Sequence, residues 1–306
     1  MARRLSIVVV LAAVLGVGVY LAFALSQLYL FRPGFGGSYT YHLLFKSAPW
    51  AVLAAAALGV FFGASVEGRR EPEIRHGKVL RHDEVAFLEH WSHAVSTLLL
   101  LGTGIYLGFL FFPRLVHTPQ ATGFVFNLHY VGVVVFLFSV FYHLTEAWLS
   151  GRIGEHLPEP GDFKAAIAHY AAKLSGRKEP PEGKYLASER LSYVGWIVGV
   201  GMMVVTGAIK VSAHVWSLPS AFMGGVTFLH DLFALLMLVM LLVHVVASSV
   251  VPWSWPLFRS MLTGYVPEEY VQKHHAKWYA ELKEGRRGKE PAGKPVPEKP
   301  GVPVTP

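Results

Sequence analysis

Cysteine is missing from all 306 residues of the chain. Without thiolates it can carry no disulfide, no cysteine-ligated iron–sulfur cluster, no thiolate zinc site, no thioether-attached c-type haem and no cysteine nucleophile. Charge is scarce as well: 15% of residues are charged, against about 25% in a typical soluble domain. The apolar share is 53%. It is gathered into long runs rather than spread as a stripe of period 2 or 3.6, the pattern of helices that are apolar on every side. Any redox centre must draw on other ligands, and the sequence has 15 histidines to offer.

Six stretches are long and apolar enough to cross a hydrocarbon core, which takes about 20 residues of helix. They run approximately from Leu5 to Leu30, Pro49 to Val66, Trp91 to Phe112, Asn127 to Leu149, Leu191 to Ser212 and Val226 to Val250. Of the 27 basic residues, 23 lie at the N-terminus, between 67 and 89, between 150 and 190, or after Val250. The opposite loops hold only Arg32, Lys46, Arg114 and Lys210. Basic residues stay on the cytoplasmic side, so both termini are expected there in a multi-pass protein of a bacterial inner membrane. The net charge of +7 is then topological, and nucleic acid is not an expected partner; membrane lipid is. The first span has two readings, because Arg3, Arg4, an apolar run and Ala22-Phe23-Ala24 fit a retained anchor or a cleavable signal peptide. Cleavage would put the new N-terminus outside and leave everything downstream as it is.

Histidine is costly in lipid and marks a site or a pathway when it occurs there. His90, His93, His129, His143, His230 and His244 all lie in or at the ends of the last four spans. His129 and His143 are 14 residues apart, as are His230 and His244. Fourteen residues fall about 40° short of four helical turns, so each pair shares a helix face with roughly 21 Å between its members. Two facing helices then present histidines at two matching depths. Neutral imidazole is an axial ligand of haem iron, and bundle cores build cofactor sites from facing helices. Two bis-histidine b-type haems, one near each membrane surface, are the expected occupants. Glycines on the same spans (Gly102, Gly104, Gly132, Gly195, Gly199, Gly201, Gly207) suit either a macrocycle edge or close helix packing.

Further motifs narrow this reading. Glu89-His90-Trp91 is followed by Thr103-Gly104; Leu128-His129 opens the next span; Gly183-Lys184-Tyr185 precedes the fifth and Thr206-Gly207 lies within it; Lys273-His274-His275-Ala276-Lys277-Trp278-Tyr279 follows the last. Over about Arg81 to Leu282 the chain resembles the gamma subunit, a membrane cytochrome b, of respiratory formate dehydrogenases and its di-haem relatives. The resemblance implies an all-α four-helix bundle with an outer haem b held by His129 and His230 and an inner haem b held by His90 and His244. It also implies electrons passing from an iron–sulfur partner subunit, itself fed by a molybdenum or tungsten catalytic subunit, to menaquinone or ubiquinone. Formate oxidation by this chain alone is not implied. Spacing by itself pairs His143 with His244, so His90 and His143 compete for the inner position; His93 is a lesser contender. Where the family often carries Gly-Gln, this sequence has Ser188-Glu189, two residues expected near the quinone, with Glu189 a possible proton donor.

The expected organisation is therefore two extra N-terminal transmembrane helices and a linker over 1–80, the di-haem bundle with its cytoplasmic tail motif over 81–284, and a disordered tail over 285–306. Two other readings stay open. One keeps quinone-linked electron transfer but places the chain beside a hydrogenase, a thiosulfate or tetrathionate reductase, or a multihaem cytochrome. The other is a haem-free membrane anchor or a proton-coupled transporter, in which the histidines relay protons.

Overall fold

A computed structural model describes residues 2–28, 43–66 and 72–289. The chain is an all-α membrane bundle standing on a small mixed cap. In chain order the bundle side begins with α1 (Ala2–Leu28), α2 (Leu43–Ser47) and α3 (Pro49–Ala64). A two-stranded turn, β1 (Ile74–Arg75) and β2 (Lys78–Leu80), leads into α4 (Glu84–Leu107) and α5 (Pro119–Leu149). Next come α6 (Ile153–His156), α7 (Asp162–Ser175), α8 (Ala187–Ser212) and α9 (Ser220–Val245). The cap closes with α10 (Trp255–Thr263), β3 (Tyr265–Pro267), α11 (Glu268–His274) and α12 (Ala276–Lys289).

All six expected spans are helical, with shifted ends. Among the described residues, four segments are long and apolar enough to cross a membrane: Arg3–Gln27, Pro119–Leu149, Ala187–Ser212 and Ser220–Val250. The helix α3 has 16 residues, about 24 Å at 1.5 Å per residue. It starts at Pro49 as expected and stops two residues before Val66, with Ser65 closing its last turn by donating to the Phe61 and Phe62 carbonyls. The helix α4 begins seven residues before Trp91. Asp83 caps it by accepting from the Ala86 N–H at 2.9 Å, which satisfies one of the free donors of a helix start. The polar first turns of α4 hid this start from a search for apolar runs. The helix α9 loosens into a π-helical turn, Val246–Val250, before Pro252. The expected disordered tail is helical as far as Lys289, and its remainder lies outside the described residues.

Packing within the bundle is uneven. The helix α4 lies along α5, and α8 along α9, whereas the two pairs meet chiefly where α4 approaches α9. On the outside of α5 lies α3, with Ala55, Gly59 and Gly63 buried at four-residue spacing. A Cβ on Gly59 would come within 2.5 Å of the Phe138 carbonyl oxygen, and one on Gly63 within 2.7 Å of that of Tyr142. Small residues are required where helix backbones approach this closely. Also against α5 is α1, with Gly18 facing Val131.

The cap is a three-stranded antiparallel sheet in the order β1-β2-β3, with Val79 paired to Val266. Val79, Val266, Val271 and Trp278 form its buried core. From α1, Arg4 reaches into it, donating to the carbonyls of Leu262 at 2.8 Å and His82 at 2.6 Å. Its guanidinium lies over the Phe87 ring. Gly264 makes room for it: with φ 93° the residue is left-handed, and a Cβ there would lie 2.6 Å from Arg4 Nη2.

Candidate cofactor site between two helix pairs

His90 lies in the second turn of α4 and His244 near the end of α9. Their ring centroids are 6.3 Å apart, with the planes at 48°. Two imidazoles bound to one iron from opposite sides, with metal–nitrogen bonds of about 2 Å, place their ring centroids roughly 6 Å apart. The pair therefore has the spacing of two axial ligands. Trp91 meets His90 edge-on, and Trp196 meets His244 in the same way.

His129 and His230 sit one level further out, each held by a threonine from the neighbouring helix. Thr103 on α4 donates to the Leu99 carbonyl at 2.7 Å, and its oxygen lies 2.7 Å from His129 Nδ1. Thr206 on α8 donates to the Met202 carbonyl at 2.6 Å and lies 2.8 Å from His230 Nδ1. Where the threonine proton goes to the carbonyl, the hydroxyl accepts from the ring, which then carries its proton on Nδ1. That leaves Nε2 with the lone pair, the form a metal needs. Such an outer partner fixes the tautomer and orientation of an axial histidine. Thr103 lies 13 residues beyond His90 on α4, about 20 Å along the axis, so the two histidine levels are separated as expected.

His143 has other partners. Its Nε2 is 2.7 Å from the Tyr193 hydroxyl, and its Nδ1 is 3.7 Å from Glu89 Oε1. Its ring stands 5.8 Å from that of His156. His93 is bonded through Nδ1 to Ser139 at 3.2 Å and packs on Phe136. The glycines divide into two groups. Gly132 meets Leu100, Gly195 meets Met240 and Gly199 meets Met237, all contacts of helix packing. Gly102, Gly104 and Gly201 have no such neighbour within 4 Å of a built Cβ, and Gly207 faces the His230 ring at 3.7 Å.

At the end of the bundle next to the cap, Glu189 caps α8 by accepting from the Leu186 N–H at 2.8 Å and pairs with buried Arg81 at 3.3 Å. Ser188 lies 3.3 Å from the Tyr170 hydroxyl. The tail motif packs beneath. His275 is fully buried and donates through Nδ1 to the Gly183 carbonyl at 2.7 Å. Burial, helped by the charge of Arg81, pushes its pKa down to about 3. Arg81 lies over both Tyr185 and Trp278. The motif thus pins the segment 182–185 that leads into α8. Among the described residues no group of three or more His, Asp or Glu side chains is arranged to hold a metal ion directly. The paired histidines are the donor set, and they suit an iron that brings its own four equatorial nitrogens.

Helices paired around facing histidines define a membrane cytochrome of the b type. The profile of one such family, prokaryotic cytochrome b561, matches residues 81–264, and the chain belongs to that family. It is 24% identical over 214 residues to the cytochrome b556 subunit of formate dehydrogenase from Haemophilus influenzae, covering 67% of this chain and 83% of that protein. It is 25% identical over 219 residues to the formate dehydrogenase cytochrome b556(fdo) subunit of Escherichia coli K12, covering 68% and 95%. The family match begins at Arg81, so α1 and α3 lie outside it.

Thr103 and Thr206 entered the sequence reading as parts of the motifs Thr103-Gly104 and Thr206-Gly207, with no role assigned to either hydroxyl. The repeated Thr-Gly pair in two different helices was the signal that pointed to them.

Proposed function

We propose that the chain is the membrane cytochrome b subunit of a respiratory formate dehydrogenase-type complex. In this reading it takes electrons from an iron–sulfur partner at the outer face and delivers them to a quinone near the inner face. His129 and His230 hold the outer haem, and His90 and His244 the inner one. When bound, a b haem supplies a one-electron carrier whose potential follows its axial ligands, their hydrogen bonds and its burial. The chain's residues do the rest. Thr103 and Thr206 hold the outer rings with Nε2 directed inward, and Trp91 and Trp196 fix the planes of the inner pair. The catalytic chemistry belongs to partner subunits. Six crossings with both termini in the cytoplasm complete the proposal, supported by Arg4, which carries the start of α1 into the same cap as the basic tail.

The observation that carries this reading is the 6.3 Å separation of His90 and His244, which matches the spacing of two imidazoles on one iron. Difference spectra of dithionite-reduced minus oxidised protein, with haem counted per chain, test it. Two b haems are expected in the wild type, one after His90→Ala and two after His143→Ala. Loss of one haem in His143→Ala with His90→Ala intact would move the inner ligand, and a colourless wild type after expression with ample haem would sink the assignment.

A further inference from the structure

Four polar side chains from different elements lie in contact at the inner end of the bundle, and the ligand set uses none of them. Tyr185, in the loop before α8, packs on His156 of α6 with ring centroids 4.6 Å apart. His156 lies 5.1 Å from the Tyr193 ring on α8. The Tyr193 hydroxyl is 2.7 Å from His143 Nε2 on α5. At the cytoplasmic end of this series, Lys184 and Glu155 form an ion pair at 3.2 Å, and the Glu155 side chain is 40% exposed. At the other end the His143 side chain is 28% exposed, on a helix inside the membrane. Glu189, the donor expected from the sequence, is engaged by the Leu186 N–H and Arg81.

We propose that His156, Tyr193 and His143 form a proton path from the cytoplasm to the quinone, with His143 the terminal donor. The proposal rests on the quinone-reducing reading above. Reduction of a quinone to a quinol takes two electrons, which the reduced haem provides one at a time, and two protons. For each proton, His143 gives its Nδ1 proton to a quinone oxygen, forming an O–H bond. Its Nε2 accepts the Tyr193 hydroxyl proton, Tyr193 is refilled from His156 through a ring rotation or one water, and the His143 imidazole then turns over so that its new proton faces the quinone for the second transfer. His156 in turn takes a proton from cytoplasmic water. The groups facing His143 are Glu89 and His93 from α4, Tyr193 from α8 and His156 from α6; those facing His156 are Glu155, Lys184, Tyr185, Tyr193, His143 and Glu89. Burial holds His156 down at about 4, so its ring is neutral at pH 7 and can both accept and donate.

The test uses the full-length, haem-loaded chain in lipid nanodiscs, chemically reduced and mixed with decylubiquinone or a short-chain menaquinone analogue, or with ferricyanide. Ferricyanide takes an electron without a proton. Tyr193→Phe and His156→Ala are expected to keep the wild-type haem spectrum and the ferricyanide rate. They should slow oxidation by quinone by about tenfold or more, since a positioned proton donor contributes at least that much. Added imidazole should restore His156→Ala, which a merely structural defect would not permit. Independently of turnover, 15N-histidine NMR of the reduced, diamagnetic protein should show the His143 ring-nitrogen signals shifted in Tyr193→Phe. Quinone rates equal to wild type in both variants would overturn the path. If Tyr193→Phe loses haem, the imidazole arm of His156→Ala decides: failure of rescue overturns it. A wild type that reduces ferricyanide but neither quinone overturns the quinone reading itself, an outcome distinct from wild-type activity that the variants leave untouched.

Discussion

At the scale of single residues, the hydroxyls of Thr103 and Thr206 define the outer level. Each spends its proton on its own helix and accepts from a histidine of the next. Replacing either by valine keeps the shape and removes the acceptor, so the ring loses its preferred tautomer. Outer partners of this kind are worth roughly 10- to 100-fold in metal affinity. Thr206→Val should therefore release the outer haem faster to a haem-scavenging apoprotein, while the inner haem stays bound. His275 supports a second prediction. It is fully buried, its folded pKa is about 3, and an unfolded histidine titrates near about 6.5. Between those values the unfolded chain binds the extra proton, so stability rises with pH across that window and is lost as pH falls through it. From pH 7 to 5 the loss is about 2 kcal/mol by the linkage relation. Detergent-solubilised protein should melt earlier at pH 5, and His275→Gln should flatten that dependence. The paired histidines were legible in the sequence because helical periodicity projects them onto one face. What distinguishes the surroundings of His90 and His143 was not, since both lie at one level and the difference comes from Tyr193, bonded to His143 from 50 residues away.

At the scale of elements, α3 and α1 show how extra helices join a bundle whose family match starts after them. Gly59 and Gly63 let α3 lie almost on the backbone of α5, with 2.5 and 2.7 Å from a built Cβ to the carbonyls of Phe138 and Tyr142. A rigid carbonyl cannot yield as a side-chain tip can. Gly59→Leu should force the helices apart at a cost of about 1–3 kcal/mol, read as a lower midpoint in a denaturing-detergent titration. Haem content should persist, because none of the four ligands lies on α3. The spacing Ala55-Gly59-Gly63 was visible in the sequence, although its direction toward α5 was not. The start of α3 at Pro49 was read correctly, and its end was placed two residues late because Ser65, which closes the last turn, lies inside the apolar stretch that runs to Val66. The early start of α4 was missed for the opposite reason: its cap and first turns are polar, and a hydropathy pattern does not register Asp83 as a helix start.

At the scale of the whole molecule, two loosely joined helix pairs are tied together by the cap at the end that carries His90 and His244. The cap does this by linking distant parts of the chain: β2 pairs with β3, His275 bonds the Gly183 carbonyl, and Arg4 bonds the carbonyls of Leu262 and His82. His82 stands just before the Asp83 cap of α4, so Arg4 acts on the base of the helix that carries His90. These links join residues up to 258 positions apart, beyond the reach of any local pattern, and explain why a basic residue at position 4 looked like a topology signal alone. Arg4→Ala would leave the buried bond to the His82 carbonyl and the half-buried one to the Leu262 carbonyl unmade, a loss of about 1–3 kcal/mol for the buried group left unsatisfied. Its effect should be directional. The inner pair, tied to the base of α4, should respond with a shifted reduction midpoint of the inner haem, while the outer pair, held by its threonines, keeps its own. Spectroelectrochemical titration resolves the two. Equal shifts at both levels would mean that α1 stabilises the bundle generally rather than setting the inner end, and no shift at either would reduce Arg4 to a topological charge.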